Sequence, residues 1–256
     1  MIDAHIHLDQ YHNIDKQVES WMNAGITHIV AVSTDLASSY QTLEYKKRYP
    51  TFISCAIGFH PEQELPNSTD LVEWQTLLKK ERHLISAIGE VGLPYYTLKQ
   101  RKQTNLAAYI EFLEEMIKIS VEQTLPIALH AVHEHADIVV DMLVKHHVKQ
   151  AHFHWLKAKS ETLAKIIQNQ YFVSVTPEVV YRKRDQELVK KIPKELLLLE
   201  TDGPWPFSDI FDGRETTPLF LKEMLPVLSK LLNEDVNAIR TNTSTNACEF
   251  YNIFSI

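Results

Sequence analysis

The sequence predicts an α/β protein with a (β/α)8 TIM barrel, in which eight parallel strands alternate with helices. Two observations lead to this fold. Eight short apolar or β-branched runs alternate with longer amphipathic stretches over the 256 residues. Some runs are apolar throughout, as in Leu-Leu-Leu-Leu at 196–199, which is typical of strands covered by helices on both faces. A doubly wound open sheet is the alternative fold, but the Gly-rich first turn common in such sheets is missing here.

The strands of the predicted barrel are short and dominated by Val, Ile, Leu, Phe and Ala. In chain order they cover residues 1–5, 27–32, 52–57, 84–89, 126–130, 150–154, 171–175 and 196–200. Because no linker, low-complexity tract or strong repeat separates them, we expect residues 1–256 to form a single domain.

The helices are predicted from apolar residues that recur at three- and four-residue steps, which gives each helix one face for the sheet. The segment 100–123 has the clearest stripe, formed by Leu106, Tyr109, Ile110, Leu113, Met116 and Ile117. The predicted helices cover residues 15–24, 38–48, 69–81, 100–123, 134–146, 160–168, 184–191, 218–232 and 235–251.

Composition argues against several classes of protein. The chain has 26 Lys and Arg against 33 Asp and Glu, and this net charge of −7 argues against broad, non-specific nucleic-acid binding. Two Cys are too few for a disulfide framework or a four-thiolate metal site, which favours a reducing, cytoplasmic setting. No stretch approaches the roughly 18 apolar residues of a membrane span, and the first residues do not resemble a signal peptide. Nothing in the sequence indicates a membrane or an obligatory protein partner.

Histidines and carboxylates follow the predicted strands. The active site of a (β/α)8 barrel lies at the carboxyl ends of its strands. The chain contains 13 His, and several of them come at these ends together with two carboxylates. The residues are His5 and His7 at the end of the first strand, His60 after the third, Glu90 after the fourth, His130 and His154 in the fifth and sixth, and Asp202 after the eighth. We therefore expect these side chains to meet at one mouth of the barrel.

The residue types and their spacing indicate a metal site. His5 and His7 are two residues apart, so both rings of an extended chain point to one side and can bind one divalent ion. Glu90 and Asp202 are costly to bury unless they bind a cation or accept hydrogen bonds, and a salt bridge with a neighbouring strand is the structural alternative. With the histidines of the fifth and sixth strands the set has six members. Six ligands overfill one tetrahedral zinc ion but suit two ions that share a bridging carboxylate.

Other histidines receive a structural interpretation. His133 and His135 open a predicted helix, in which residues two apart point in different directions. His152 points away from the mouth if His154 points into it, and we expect it to be packed in the interior.

Six ordered motifs run through the whole chain. They are Asp3-Ala4-His5-Ile6-His7-Leu8, Gly58-Phe59-His60-Pro61-Glu62, Ala87-Ile88-Gly89-Glu90-Val91-Gly92-Leu93, Leu125-Pro126-Ile127-Ala128-Leu129-His130, His154, and Leu199-Glu200-Thr201-Asp202-Gly203-Pro204. With them the chain resembles the TatD family of metal-dependent hydrolases, within the amidohydrolase-like barrel superfamily. The resemblance implies that the first-strand histidines share one metal ion with Asp202, that His130 and His154 bind the other, and that Glu90 bridges the two. It also implies hydrolysis of phosphodiester bonds in DNA, as in family members described as deoxyribonucleases.

Three positions depart from the family pattern. Pro94 follows Gly-Leu where the family usually has an acidic residue, Val132 stands where it usually has Arg, and Trp155 begins the segment that replaces its aromatic-Ser-Gly turn. The metal ligands are all present, while the residues around the substrate differ. The sequence therefore supports a metal-dependent hydrolase more firmly than a deoxyribonuclease.

For the reaction we predict metal-assisted hydrolysis by an activated water. Asp202 is the predicted general base or proton shuttle because it can contact both a metal ion and the attacking water, and Glu90 is predicted to act with it as the bridging carboxylate. His60 is predicted to bind substrate or to orient another group. The expected cofactors are two divalent ions, such as zinc, manganese or magnesium, and the residue types do not select among them.

A DNA or other phosphodiester substrate needs positive charge near the mouth in spite of the net negative charge. Loops after the fourth, sixth and seventh strands carry Lys99, Arg101, Lys102, Lys157, Lys159, Arg182, Lys183 and Arg184. Trp155, Tyr181 and Trp205, on the same face, are predicted to stack on bases. Two alternatives stay open: an amidohydrolase- or lactonase-type enzyme that uses the same ions on a small substrate, and a non-catalytic protein whose mouth is held together by metal.

Overall fold

Eight strands pair side by side, all parallel, in the order in which they occur along the chain. The computed structural model describes residues 1–101 and 104–253, and its strands are β1 Ile2–Ile6, β2 His28–Val32, β3 Ile53–Ile57, β4 Ile85–Gly92, β5 Ile127–His130, β6 Ala151–Phe153, β7 Phe172–Val175 and β8 Leu197–Leu199. Apart from Ser86, every residue of these strands is buried. A parallel sheet covered on both faces accounts for the continuous apolar runs.

The last strand returns to the first, so the sheet closes into a barrel. The main-chain N–H of Asp202 donates to the carbonyl of His5 at 3.0 Å, and the N–H of His7 donates to the carbonyl of Gly203 at 2.8 Å. The carboxylate of Asp3 accepts a further bond, 2.9 Å long, from the main-chain N–H of Thr201. The predicted (β/α)8 barrel is confirmed.

Helices follow the strands and cover the outside of the sheet. They are α1 Ile14–Asn23, α2 Leu36–Arg48, α3 Ser68–Lys80, α4 Tyr96–Gln100, α5 Leu106–Glu122, α6 His135–Lys145, α7 Ser160–Gln168, α8 Lys183–Val189, α9 Leu221–Leu232 and α10 Val236–Tyr251. The apolar stripes face the strands, and Leu113, Met116 and Ile117 of α5 are completely buried. Within the described ranges no helix combines the length and apolar character that a membrane crossing requires.

The helix predicted over 100–123 is wrong at its start. The structure has a separate short helix, α4, which ends at Gln100, and α5 begins only at Leu106. The side chain of Asn105 accepts a hydrogen bond from the N–H of Ala107 at 3.1 Å and so caps α5 at this point. The residues 102 and 103 of the predicted helix lie outside the described part of the chain.

β4 and β5 approach closely near their carboxyl ends. Gly92 is paired with His130, and a Cβ atom added to Gly92 would lie 1.9 Å from the main-chain oxygen of His130. Only glycine fits at this position without moving one of the strands. The contact brings Glu90, two residues earlier on β4, to the same end of the barrel as His130.

Candidate metal centre

The structure brings all six predicted ligands together at the mouth formed by the carboxyl ends of the strands. Each belongs to a strand or to the residues that follow it: His5 and His7 to β1, Glu90 to β4, His130 to β5, His154 to β6 and Asp202 to β8. All six are buried. The two oxygens of Glu90 face different neighbours and divide the site into two clusters.

The first cluster surrounds Oε2 of Glu90. Nε2 of His5 lies 3.1 Å from this oxygen and Nε2 of His7 lies 3.5 Å from it. Oδ1 of Asp202 lies 3.4 Å from the same His5 nitrogen and 3.3 Å from the same His7 nitrogen. Two imidazoles and two carboxylates thus direct one atom each at a common point.

The second cluster surrounds Oε1 of Glu90. Nε2 of His154 lies 2.7 Å from this oxygen and Nδ1 of His130 lies 3.0 Å from it. The two histidine nitrogens are 3.2 Å apart. His60 reaches the same oxygen from the loop after β3, with Nε2 at 3.4 Å.

The donor atoms of the first cluster fit a bound divalent ion. In a tetrahedral zinc site with ligands about 2.0–2.1 Å from the ion, neighbouring ligand atoms are about 3.4 Å apart. The distances here, 3.1 to 3.5 Å, agree with that value. His5 Nε2, Glu90 Oε2 and Asp202 Oδ1 are buried and have no hydrogen-bond partner within residues 1–101 and 104–253. Buried polar atoms without hydrogen bonds are costly, and a cation that accepts their lone pairs removes the cost.

Charge in the site is concentrated on Glu90 and its histidines. Burial alone would raise the pKa of Glu90, but the surrounding imidazoles, His154 above all, lower it well below its usual range. For His154 burial acts in the opposite direction, and the negative charge of Glu90 together with Glu200 raises its pKa well above the usual value. The metal-free site therefore pairs a buried carboxylate with protonated imidazole, and these protons compete with a metal ion.

The hydrogen bonds of His60 make its Nε2 a hydrogen-bond donor rather than a metal ligand. Its Nδ1 accepts a bond from the main-chain N–H of Glu62 at 3.2 Å. A neutral imidazole that accepts at one nitrogen carries its proton on the other, so Nε2 presents an N–H to Glu90 and to the mouth of the barrel. Burial lowers the pKa of His60, which favours the neutral ring. The predicted role, contact with substrate or orientation of another group, stays a prediction that this geometry suits.

Two glutamates that belong to the sequence motifs, but had no predicted role, lie behind two of the predicted ligand histidines. Glu62 lies 3.4 Å from Nε2 of His130 and also accepts hydrogen bonds from the first three main-chain N–H groups around α4. Glu200, completely buried, lies 3.4 Å from Nδ1 of His154. Both contacts are longer than a well-formed hydrogen bond, and they place a carboxylate where metal-binding histidines commonly donate their second N–H. Each glutamate comes two residues from a predicted site residue, His60 or Asp202, and this spacing is the signal that could have revealed them.

The three histidines that received a structural interpretation lie apart from the two clusters. His133 packs against the ring of Tyr95, with ring centres 4.3 Å apart, and His135 lies at the start of α6. His152 is completely buried and forms hydrogen bonds with Ser174 and Tyr251. None of these three belongs to a group of candidate metal ligands in the part of the chain that the structure describes.

An open pocket of about 880 Å3 lies above the two clusters. Its rim includes the partly exposed aromatic rings of Tyr96 and Trp205 and the cationic side chains of Lys157 and Arg182. Lys157 lies 3.8 Å above the ring of Trp155 and donates a 3.0 Å hydrogen bond to the hydroxyl of Tyr96. These contacts hold a positive charge at the edge of the pocket.

The other predicted cations contribute less to the pocket. Lys99 lies over the ring of Tyr95, and Arg101 is 3.5 Å from Glu64. Arg184 pairs with Glu178 at 2.6 Å and with Asp185 at 2.8 Å. None of Lys99, Arg101, Lys159, Lys183 and Arg184 lines the pocket, and Lys102 lies outside the described residues.

Comparison with known proteins places these observations in a family. The family model described as TatD related DNase matches residues 2–252. A protein of Haemophilus influenzae named as an uncharacterized metal-dependent hydrolase is 33% identical, with 99% of this chain and all of the relative covered. A relative from Erwinia tasmaniensis, named 3'-5' ssDNA/RNA exonuclease TatD, is 24% identical over 93% of both chains. The crystal structure of YjjV, a TatD homologue of Escherichia coli, superimposes with a TM-score of 0.87 over 99% of this chain and 98% of the other, at 22% identity.

Proposed function

This chain belongs to the TatD family of metal-dependent hydrolases, and within that family we propose that it hydrolyses phosphodiester bonds in DNA. The observation that carries the proposal is the combination of a two-cluster metal site with a rim of cations and aromatic rings. Lys157 and Arg182 suit an anionic backbone, and Tyr96 and Trp205 offer flat surfaces to bases. The relative named as a 3'-5' ssDNA/RNA exonuclease supports the same class of substrate.

In the proposed reaction, the ions and the side chains of the site have different roles. Divalent ions held by the two clusters would supply a water of lowered pKa and would stabilise negative charge on the reacting phosphate. Asp202 lines the pocket and is ionised, because the nearby imidazole of His7 and the charges of the neighbouring histidines overcome the effect of burial and lower its pKa. It is therefore able to accept the proton of the attacking water, as a general base must.

The other side chains orient the substrate. The N–H at Nε2 of His60 faces the mouth and donates a hydrogen bond to an oxygen of the substrate. Lys157 and Arg182 bind the flanking phosphates, and Trp205, a residue that is 55% exposed, stacks on a base. Only the bond that lies above Glu90 and Asp202 is then in reach of the water.

A second candidate function is hydrolysis of a small ester, lactone or amide with the same ions. The acidic side chain of Glu178 favours it, because this residue lines the pocket and pairs with both Arg182 and Arg184. These ion pairs offset part of the positive charge on which binding of a polyanion depends.

A panel of substrates assayed with zinc, manganese, magnesium and cobalt separates the two candidates. The panel contains single- and double-stranded DNA, RNA, a phosphodiester dye, a phosphomonoester and several lactones. We expect cleavage of DNA that weakens steeply as salt is raised, because phosphate contacts release counterions. Turnover of a lactone or amide that does not respond to salt, with no cleavage of DNA under any metal, would instead establish the second candidate.

The Asp202→Asn substitution tests the catalytic role proposed for that carboxylate. We expect turnover at saturating metal to fall about 100-fold or more, the range typical for loss of a general base. Metal content measured on the same sample shows whether the ions are still bound. Asp212→Asn, a change at an exposed aspartate outside the pocket, serves as the control. Unchanged turnover in a metal-loaded Asp202→Asn protein would refute the role of Asp202.

A further inference from the structure

A line of buried hydrogen-bonding side chains runs from the second cluster to the last helix. It begins at Glu200, which lies 3.4 Å from Nδ1 of His154, and continues to Ser174, whose hydroxyl lies 2.6 Å from Oε2 of Glu200. From Ser174 it is 2.7 Å to Nε2 of His152, and Nδ1 of His152 lies 2.8 Å from the hydroxyl of Tyr251 in α10. Glu200, Ser174, His152 and Tyr251 are all completely buried.

For an ionised Glu200 and a neutral His152, the groups allow only one arrangement of the protons. A carboxylate only accepts, so the Ser174 hydroxyl donates to Glu200 and must itself accept from Nε2 of His152. His152 therefore carries its proton on Nε2. Its Nδ1 is then an acceptor, and Tyr251 must donate its O–H to it.

This one-directional line fixes the carboxylate of Glu200. Ser174 holds Oε2, and the main-chain N–H of Trp155 holds Oε1 at 2.8 Å. With both oxygens held, Oε1 remains next to Nδ1 of His154, and Nε2 of His154 is left to face Oε1 of Glu90 at 2.7 Å. The orientation of a candidate ligand thus depends on a tyrosine of the outer helix layer.

We infer that Ser174, His152 and Tyr251 are positioning residues that set the affinity of the second cluster for a divalent ion. The inference depends on the metal site of the proposed function, but not on DNA as the substrate. Loss of the Tyr251 hydroxyl leaves Nδ1 of His152 without a donor in a dry interior. The Ser174 hydroxyl still needs the proton on Nε2, so the buried Nδ1 stays unsatisfied and the His152 ring is held less firmly. The contacts of His152 with Ser174 and of Ser174 with Glu200 then become less fixed.

Metal titration of metal-free protein tests the inference directly. The experiment follows binding of Mn2+ or Co2+ by calorimetry, with a chelator as competitor, and resolves the two ions. For Ser174→Ala we expect the affinity for one ion to fall roughly 10-fold, as found for groups that orient metal-bound histidines. Tyr251 is two hydrogen bonds further from Glu200 than Ser174 is, through His152. For Tyr251→Phe we therefore expect a smaller loss of affinity, about 3-fold. The affinity for the other ion should be unchanged in both variants.

Tyr171→Phe is a matched control. Tyr171 is also buried, and its hydroxyl also makes one hydrogen bond, but the acceptor is the main-chain carbonyl of Val148 at 3.0 Å, away from the line. This variant should lose stability comparable to that of Tyr251→Phe and should bind both ions like the wild type. Equal metal affinity in Tyr251→Phe, Ser174→Ala and wild type, or equal loss in Tyr171→Phe, would overturn the inference.

Nitrogen-15 NMR of the imidazoles gives a second measurement that needs no variant. In the metal-free wild type, His152 should be the neutral form protonated at Nε2. A proton at Nδ1 would overturn the inference even if the variants did not fold. A wild type that binds both ions but cleaves no DNA would count against the proposed substrate and would leave this inference standing.

Discussion

At the level of single residues, Glu90 determines the layout of the site. A completely buried carboxylate at the end of β4 gives one oxygen to the histidines of β1 and the other to the histidines of β5 and β6. An aspartate, shorter by one methylene, would not reach both sets at once. Since both oxygens are used, substitution by Gln removes the negative charge from both clusters and turns one of the two acceptors into an N–H donor.

His28 provides a residue-scale prediction away from the metal centre. Its ring nitrogens lie 3.1 Å from the carbonyl of Thr51 and 2.8 Å from the hydroxyl of Ser54. Burial, helped by the charge of Lys46, lowers its pKa from 6.5 to about 4. Between these values the unfolded chain binds a proton that the folded chain does not, so stability is full above pH 6.5 and is lost as the pH falls. From pH 7 to pH 5 we expect the free energy of unfolding to decrease by about 2 kcal/mol through this group.

Urea denaturation of metal-free protein at the two pH values measures this loss. His28→Gln keeps a group that donates and accepts but does not titrate between pH 4 and 7, and it should flatten the pH dependence by the same amount. The same pH dependence in His28→Gln and wild type would show that another group is responsible.

At the level of elements, the loop between β6 and α7 carries the clearest prediction about the substrate. Lys157 lies on this loop, at the rim of the pocket and against Trp155. We expect Lys157→Ala to raise the KM for DNA several-fold with little change in kcat, because the proposed contact of this residue is with the flanking backbone and not with the reacting bond. The dependence of log KM on log salt should become less steep by about 1, the value for one lost phosphate contact.

Lys159→Ala is the control for charge alone. Lys159 lies on the same loop, is exposed, and does not line the pocket. If both variants change KM and its salt dependence equally, Lys157 has no special contact with the substrate and the rim has been misassigned.

Some of these elements could be predicted from the sequence and others could not. The strands could be predicted because both faces are buried, and the ligands because every strand of a barrel ends at the same mouth. The break between α4 and α5 could not, since the apolar stripe gives no sign of the cap at Asn105. The roles of Glu62 and Glu200 were also missed, because they depend on which neighbouring histidine each carboxylate faces. That geometry is set by loops and by the stagger between strands, and neither follows from hydrophobic periodicity.

At the level of the whole molecule, metal binding should stabilise the fold. The ligands come from β1, β4, β5, β6 and the segment after β8, so bound ions connect strands from both ends of the chain. At a metal concentration about 100 times the dissociation constant, binding adds about 2.7 kcal/mol to the stability. For a chain of this size we expect a rise in Tm of roughly 5–10 °C over chelator-treated protein, measured by differential scanning fluorimetry.

Glu90→Gln tests whether the effect comes from this site. The variant keeps the shape of the side chain and removes the charge that both clusters share, so its Tm should respond little to metal. A wild-type Tm that is the same with EDTA and with excess Mn2+ or Zn2+ would contradict the metal site itself.

The division of the mouth between strands and loops has a consequence for redesign. The candidate ligands belong to strand ends that the barrel fixes, as the close contact of Gly92 with His130 shows. Tyr96, Lys157 and Trp205 instead belong to the segments that follow β4, β6 and β8, which include the short helix α4. Grafting these connecting segments from one barrel to another would exchange the recognition surface and leave the reaction centre intact. A duplicated gene can follow the same route, so that a new specificity arises through divergence of the connections alone.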